Sequence, residues 1–335
     1  MTSRDGRRTA RGWPRRLLIG IAAGLLLGLG VSSAAHADPA APTDFRSTVR
    51  SVTPPTESID VDIVGGDSFV ELTAERGTEV VVVGYRGEPW LRFRPDGTVE
   101  ENRRSPSLYL SQQRYGGGDL PPEASADAAA EWQVVGSGGR FVWHDHRSHL
   151  MVRGDPPNAE PGERVQRSRI PLQVDGATVE VAIVTDWLPA PSSAPLVAGA
   201  AAGGLVVVST VLSRRRMAWA LALAAVAAGG IGWWQFSSLP PETEPRALWW
   251  ILPAVGAGSA LLGLLLGRRA TSHALIALGA LELGAWVFIR RDGLTRAILP
   301  TEAPFWLDRG VTAAAGVAAV AAAASAVVGL FRVDG

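Results

Sequence analysis

Five apolar stretches close this chain, and they constrain its fold more than any other feature. They run over 196–212, 217–236, 247–266, 274–289 and 311–331, with short polar turns between them. A helix needs ~20 apolar residues to cross ~30 Å of hydrocarbon, and each run approaches that length, the fourth least closely. Within hydrocarbon every backbone amide must be satisfied inside its own segment, so such runs predict membrane-spanning helices. The expectation is an all-α transmembrane bundle of about five helices, ending in a short tail at 332–335.

Arginine placement gives the bundle a direction. All 32 basic residues are arginine. Arg214–Arg216 fall between the first and second runs, Arg268 and Arg269 between the third and fourth, and Arg332 after the fifth. Basic loops stay in the cytoplasm. The rule predicts a multi-pass plasma-membrane protein with a cytoplasmic C-terminus and with residues 38–190 outside. Arg290 and Arg291 run against it. Trp233, Trp234, Trp249, Trp250, Trp286 and Trp306 fall at the run ends assigned to the outer face, where an indole suits the headgroup level.

The N-terminus leads to the same side. Six arginines between Arg4 and Arg16 precede the apolar "LLIGIAAGLLLGLGV", and a small-x-small "AHA" at 35–37 precedes Asp38. This pattern predicts a signal peptide over 1–37, with an uncleaved anchor as the alternative. The chain has no cysteine, so the exported part is held by its core rather than by disulfides. Thiolate metal sites, thiol nucleophiles and iron–sulfur clusters are excluded on the same ground. Between Asp38 and Ala190 stand 15 arginines against 24 acids, a net of −9, which repels nucleic acid and attracts cations.

Residues 38–190 alternate apolar and polar side chains with the period of β-strands. "SIDVDIVG" (58–65), "SFVELTA" (68–74), "TEVVVVGY" (78–85), "PWLRFR" (89–94) and "TVEVAIVTDW" (178–187) are separated by turn signals such as "PDGT" at 95–98 and "VDGAT" at 174–178. The pattern predicts an exported all-β domain, a sandwich with an immunoglobulin-like form as one option. Residues 191–195 then serve as a Pro/Ser linker to the bundle. The loop at 116–130 is placed to cover the nearby histidine-rich stretch, and the amphipathic segment 292–309 is expected to lie along the outer interface near the β domain.

Three of the five histidines fall within "VWHDHRSHLM" at 142–151. With His146 and Arg147 at the centre of a hairpin turn, Asp145 pairs with Ser148 and His144 faces His149, close enough for two imidazoles to share an ion. Met151 then points to the same face, and Asp145 either ligates or orients an imidazole. The candidate ligands are therefore His144, His146, His149, Met151 and Asp145, with Trp143 and Arg147 as support. Imidazoles suit zinc, nickel and copper, and a thioether moves the choice toward Cu(I). Two other readings stand beside this one: a rigid polar turn, and a protonation switch near neutral pH.

Glu282, near the middle of the fourth run, is the other unusual residue. An intramembrane carboxyl is costly, so it is either a proton or cation relay or a protonated, hydrogen-bonded structural group. No GxSxG, P-loop or dinucleotide fingerprint occurs, and the expectation is a protein that is not an enzyme.

Taken together, "GYRGEPWLRFRPDG", "SPSLYLSQQRYG", "PPEA" and "VWHDHRSHLM" resemble a group of bacterial cell-envelope proteins without an established activity. The group combines a signal peptide, a WHDHR-type β ectodomain and a C-terminal helical bundle. The likeness covers most of the chain, and it implies an envelope location and an association with copper-handling partners. Leu150 stands where the resemblance leads one to expect an aromatic residue. The combined expectation is an envelope metal-binding accessory or chaperone protein, with copper or zinc as cofactor. The alternative is a structural or interaction module that binds no metal.

Overall fold

A computed structural model describes residues 38–117, 119–210, 213–266 and 269–333. The expected signal peptide (1–37) and the end of the expected tail (334–335) lie outside the described residues. The earlier residues form β structure and the later ones form helices. Among the described residues ten strands are present: β1 (Phe45–Thr53), β2 (Ile59–Val64), β3 (Phe69–Ala74), β4 (Val80–Val83), β5 (Pro89–Phe93), β6 (Val99–Asn102), β7 (Trp132–Gly136), β8 (Arg140–His144), β9 (Arg164–Val174) and β10 (Ala177–Trp187). They pair antiparallel in two sheets, β1-β10-β9-β4-β5-β6-β7 and β2-β3-β8.

Alternation decides which faces meet. In β2, Ile59 and Val61 are buried while Asp60 and Asp62 face out. Val70 and Leu72 of β3 join them, and together with Trp143 of β8 they share one apolar cluster with Val82, Phe93, Leu172 and Ile183 of the larger sheet. Each fully buried side chain of this size contributes roughly 1.5–3 kcal/mol. The division of seven strands against three is not the four-plus-three of an immunoglobulin constant domain. The "VDGAT" turn forms as expected: Asp175 and Gly176 both have positive φ, at 49° and 81°, the geometry of a two-residue hairpin turn.

Beyond a short helix α1 (Pro106–Leu110), the helices are α2 (Ala194–Thr210), α3 (Arg214–Ser237), α4 (Leu248–Leu265), α5 (Arg269–Ile289) and α6 (Phe305–Val333). Four of them contain spans long and apolar enough to cross a membrane: Arg214–Ser237, Leu248–Leu265, Ala270–Ile289 and Phe305–Gly329. The first expected span forms α2, whose 17 described residues fall short of that length. It packs closely along α6, because a Cβ on Gly199 would lie 2.1 Å from the Gly310 carbonyl oxygen and one on Gly203 2.9 Å from that of Ala314. Gly199 and Gly203, four residues apart, permit this close backbone approach.

The tryptophan expectation divides. Trp233, Trp234 and Trp306 are exposed, as an interfacial belt requires. Trp249 and Trp286 instead belong to the packed interior, where the Trp286 indole donates to the Trp249 carbonyl at 2.6 Å.

The bundle end that carries Trp249 is docked to the β domain. Thr43 and Ile298 exchange backbone hydrogen bonds at 3.1 and 2.8 Å. Asp44 accepts from Arg296 at 2.6 Å and from the Ala297 amide at 2.7 Å. Beneath them Ala40, Phe69, Val142, Leu239 and Trp249 form a shared apolar cluster. Arg309 of α6 braces the loop by donating to the carbonyls of Gly293, Arg296 and Ala297. Residues of the 292–309 segment thus contact the β domain directly.

Candidate metal centre

Strand β8 delivers the first histidine. It pairs with β3, where Phe69 lies opposite His144, and it stops there. Residues 145–148 then form a turn centred on His146 and Arg147, closed by the Ser148 amide donating to the Asp145 carbonyl at 2.9 Å. The Asp145 carboxylate accepts from the Arg147 amide at 2.9 Å and reinforces the reversal.

No second strand comes after the turn. Residues 149–163 are irregular, and the Arg147 and Ser148 carbonyls just before them accept from Ser168 of β9 and Ser47 of β1 rather than pairing with β8. The expected hairpin is replaced by a turn alone, yet the reversal suffices. The rings of His144 and His149 stack with centroids 4.9 Å apart. His146 stands edge-on to both at 5.5 Å. One ligand nitrogen from each ring lies within 4.8 Å of the others.

Each imidazole has one nitrogen committed to a backbone carbonyl. His144 Nδ1 faces the Ser111 carbonyl, His146 Nε2 that of Gln113 at 2.8 Å, and His149 Nδ1 that of Leu150 at 3.2 Å. A carbonyl only accepts, so these nitrogens carry the protons and the opposite ones hold lone pairs. The Nε2 atoms of His144 and His149 are buried with no partner among the described residues. Burial pushes His144 down to about 4, and burial with the nearby Arg114 charge pushes His149 down to about 3, so both rings are neutral at pH 7. A ring whose second nitrogen donates to a carbonyl is the usual state of a metal-bound histidine. Two nitrogens sharing an ion at ~2.1 Å stand at most ~4.2 Å apart, so a spread as wide as 4.8 Å has to close on binding.

The scaffold around the rings comes from distant segments. Glu88 accepts from Ser105 Oγ at 2.8 Å and from Ser107 Oγ and N at 2.6 and 3.1 Å, which fixes the start of α1. The end of α1 then aims the Ser111 and Gln113 carbonyls at the cluster. Tyr85 accepts from the His146 amide at 2.9 Å and stacks on its ring, centroids 5.5 Å apart. Arg114 binds the buried carboxylate of Asp67 and reaches Ser68 at 3.1 Å. Strand patterning singles out none of Tyr85, Glu88, Ser111, Gln113 or Arg114. All five nonetheless lie in the segments 84–97 and 105–116, which carry part of the resemblance.

The remaining sequence candidates divide. Asp145 is fully buried, and its carboxylate is spent on Trp143 Nε1 at 3.1 Å and on Arg147 Nε and Nη2 at 2.9 and 2.8 Å. Burial alone would raise its pKa, but the Arg147 guanidinium and the bonds it receives hold it below the ordinary value. It braces Trp143 and Arg147 and is not among the grouped ligand atoms. Arg147 also donates to the Val83 carbonyl at 2.9 Å and lies over the Tyr85 ring. Met151 is 40% exposed at the rim. Glu282 is buried on α5 beside Gly256 of α4, within the helical bundle.

No protein-family model, curated protein or solved structure matches the chain. The site's chemistry therefore rests on its own geometry. Beside it a cavity of about 360 Å³ is lined by His144, Leu150, Tyr115, Arg114, Asp44 and Arg296, at the seam between the β domain and the bundle.

Proposed function

We propose that this protein binds one transition-metal ion through His144, His146 and His149, as an accessory or chaperone protein of the cell envelope. Copper is the favoured ion and zinc the alternative. The supporting observation is the pair of buried Nε2 lone pairs on His144 and His149, each left open while the other ring nitrogen is hydrogen-bonded. A buried acceptor without a partner costs about 1–3 kcal/mol, and a bound ion removes that cost. We read the two-sheet domain as a β-sandwich on the extracytoplasmic side. Arg214–Arg216 stand at the start of α3, whose other end leads to the β domain through Leu239, and the positive-inside rule assigns them to the cytoplasm. The resemblance to envelope proteins points the same way.

A second reading is a rigid turn that braces the domain and binds no ion. The 4.8 Å spread of the ligand atoms, wider than an ion alone would set, favours it. Titration of the full chain in detergent with Cu(I), Cu(II) and Zn(II) separates the two. Micromolar or tighter binding that is lost when all three histidines become alanine supports the metal centre. No binding, or binding indifferent to those substitutions, removes it.

A further inference from the structure

Two of the three rings are sealed: His149 is fully buried and His144 nearly so. His146 is half-buried, and the space beside it is kept open by Gly116, whose φ of +71° disfavours any side chain. The position a Cβ would take on Gly116 lies 3.7 Å from the Met151 terminal methyl and 3.9 Å from His146 Cε1. Cε1 is bonded to both ring nitrogens. The Met151 terminal methyl and the His146 Cε1 edge therefore both border Gly116, and Met151 is the more exposed of the two.

We infer that Met151 is the exchange ligand of this centre: Cu(I) reaches and leaves the three imidazoles by way of its thioether, through the opening beside Gly116. This rests on the metal-centre reading. The step is a ligand substitution in which a donor on the incoming carrier is replaced by the Met151 sulfur and then by imidazole nitrogen. Copper stays Cu(I) throughout, and no electron or proton is required from elsewhere. A thioether is a soft ligand that suits Cu(I) and offers little to Zn(II), so the residue selects as well as conducts. The cavity that touches His144 offers a competing entrance from the bundle side.

The test uses the full chain in detergent under reducing conditions, with Cu(I) presented as its bathocuproine complex and transfer followed by the loss of that complex's colour. Met151→Leu keeps the size of an exposed side chain and removes the sulfur. It is expected to slow transfer in both directions by at least about tenfold and to change the rate of Zn(II) loading by less than about twofold. Met151→His, which restores a donor, is expected to recover most of the Cu(I) rate. Wild-type rates in Met151→Leu overturn the inference, as does equal slowing of both metals. Slowing by Ala41→Trp, which fills the cavity on the other side, overturns it as well. Absence of any Cu(I) uptake by the wild type overturns the metal centre itself and the inference with it.

Discussion

His149→Leu distinguishes a ring kept for an ion from a ring kept for the fold. In the wild type the imidazole is fully buried, its Nε2 has no partner, and its Nδ1 reaches only the neighbouring Leu150 carbonyl at 3.2 Å. Leucine fills similar space without polar atoms. It forfeits one hydrogen bond, worth about 0.5–1.5 kcal/mol net, and removes an unpaired buried acceptor that costs about 1–3 kcal/mol. The metal-free protein is therefore expected to gain about 1 kcal/mol, or a few degrees in the melting of a domain of this size. Tryptophan fluorescence of the full chain in detergent, heated with chelator present, reads this directly. With Zn(II) at about 100 times its dissociation constant, the wild type should gain about 2.7 kcal/mol and the variant almost nothing. A loss of more than about 1 kcal/mol in the metal-free variant would refute the reasoning, because the ring would then be holding the turn together.

Asp145→Asn leaves the Arg147 guanidinium buried beside a neutral amide, and breaking such a pair costs about 3–5 kcal/mol; thermal melting should fall sharply, while a loss of metal affinity with unchanged melting would make Asp145 a ligand. The folded pKa values of His144 and His149 lie below the ordinary 6.5, at about 4 and about 3. Protonation thus favours the unfolded chain, and stability is full above pH 6.5 and falls as the pH drops toward 4. Asp67, raised to about 6 by burial, opposes this with stability that is present below 3.8 and lost as pH rises through 6; denaturant midpoints at pH 7 and pH 5 should differ more in Asp67→Asn than in the wild type. Tyr85→Phe keeps the stack on His146 and removes its amide's acceptor, so a loss of about 1–3 kcal/mol is expected in denaturant melts.

Local pattern carries the strands and the helices but not the way the site is enclosed. The turn at His146–Arg147 is legible because polar residues flank it and Asp145 can accept from the amide two residues on. The returning strand is where the sequence misleads. The histidine spacing suits a hairpin, whereas the Arg147 and Ser148 carbonyls accept from Ser168 of β9 and Ser47 of β1, and these long-range bonds turn the returning chain away from β8. The true partner of β8 is β3, about 70 residues earlier, and a pairing that distant leaves no mark on local periodicity. The orienting groups are hidden for a different reason. Ser111 and Gln113 act through backbone carbonyls, which every residue has. Trp286 departs from the interfacial expectation because an indole at a span end fits a membrane interface and a helix–helix contact equally well, and only packing decides.

The docking of the two halves bears on whether Glu282 and the histidines belong to one path. The segment from Asp38 to Phe45 runs between the metal centre and the bundle, tied to the site by Asp38 (amide to the Gln112 carbonyl at 3.1 Å, carboxylate to the Arg114 amide at 3.0 Å) and to the bundle loop by Thr43 and Asp44. At the top of the bundle, Arg290 is buried between Gln235 and Asp308. The Arg290–Asp308 ion pair carries no net charge and offers a cation no free carboxylate there, and Glu282 lies about two helical turns beyond it on α5. An ion held by the three imidazoles is therefore isolated from the intramembrane carboxyl and exchanges sideways with solvent. Glu282→Gln is expected to leave the Cu(I) and Zn(II) affinities of the full chain within about twofold of wild type. A tenfold change measured by competition with a chelator would show that the carboxyl and the cluster are coupled, and the sideways route would have to be abandoned.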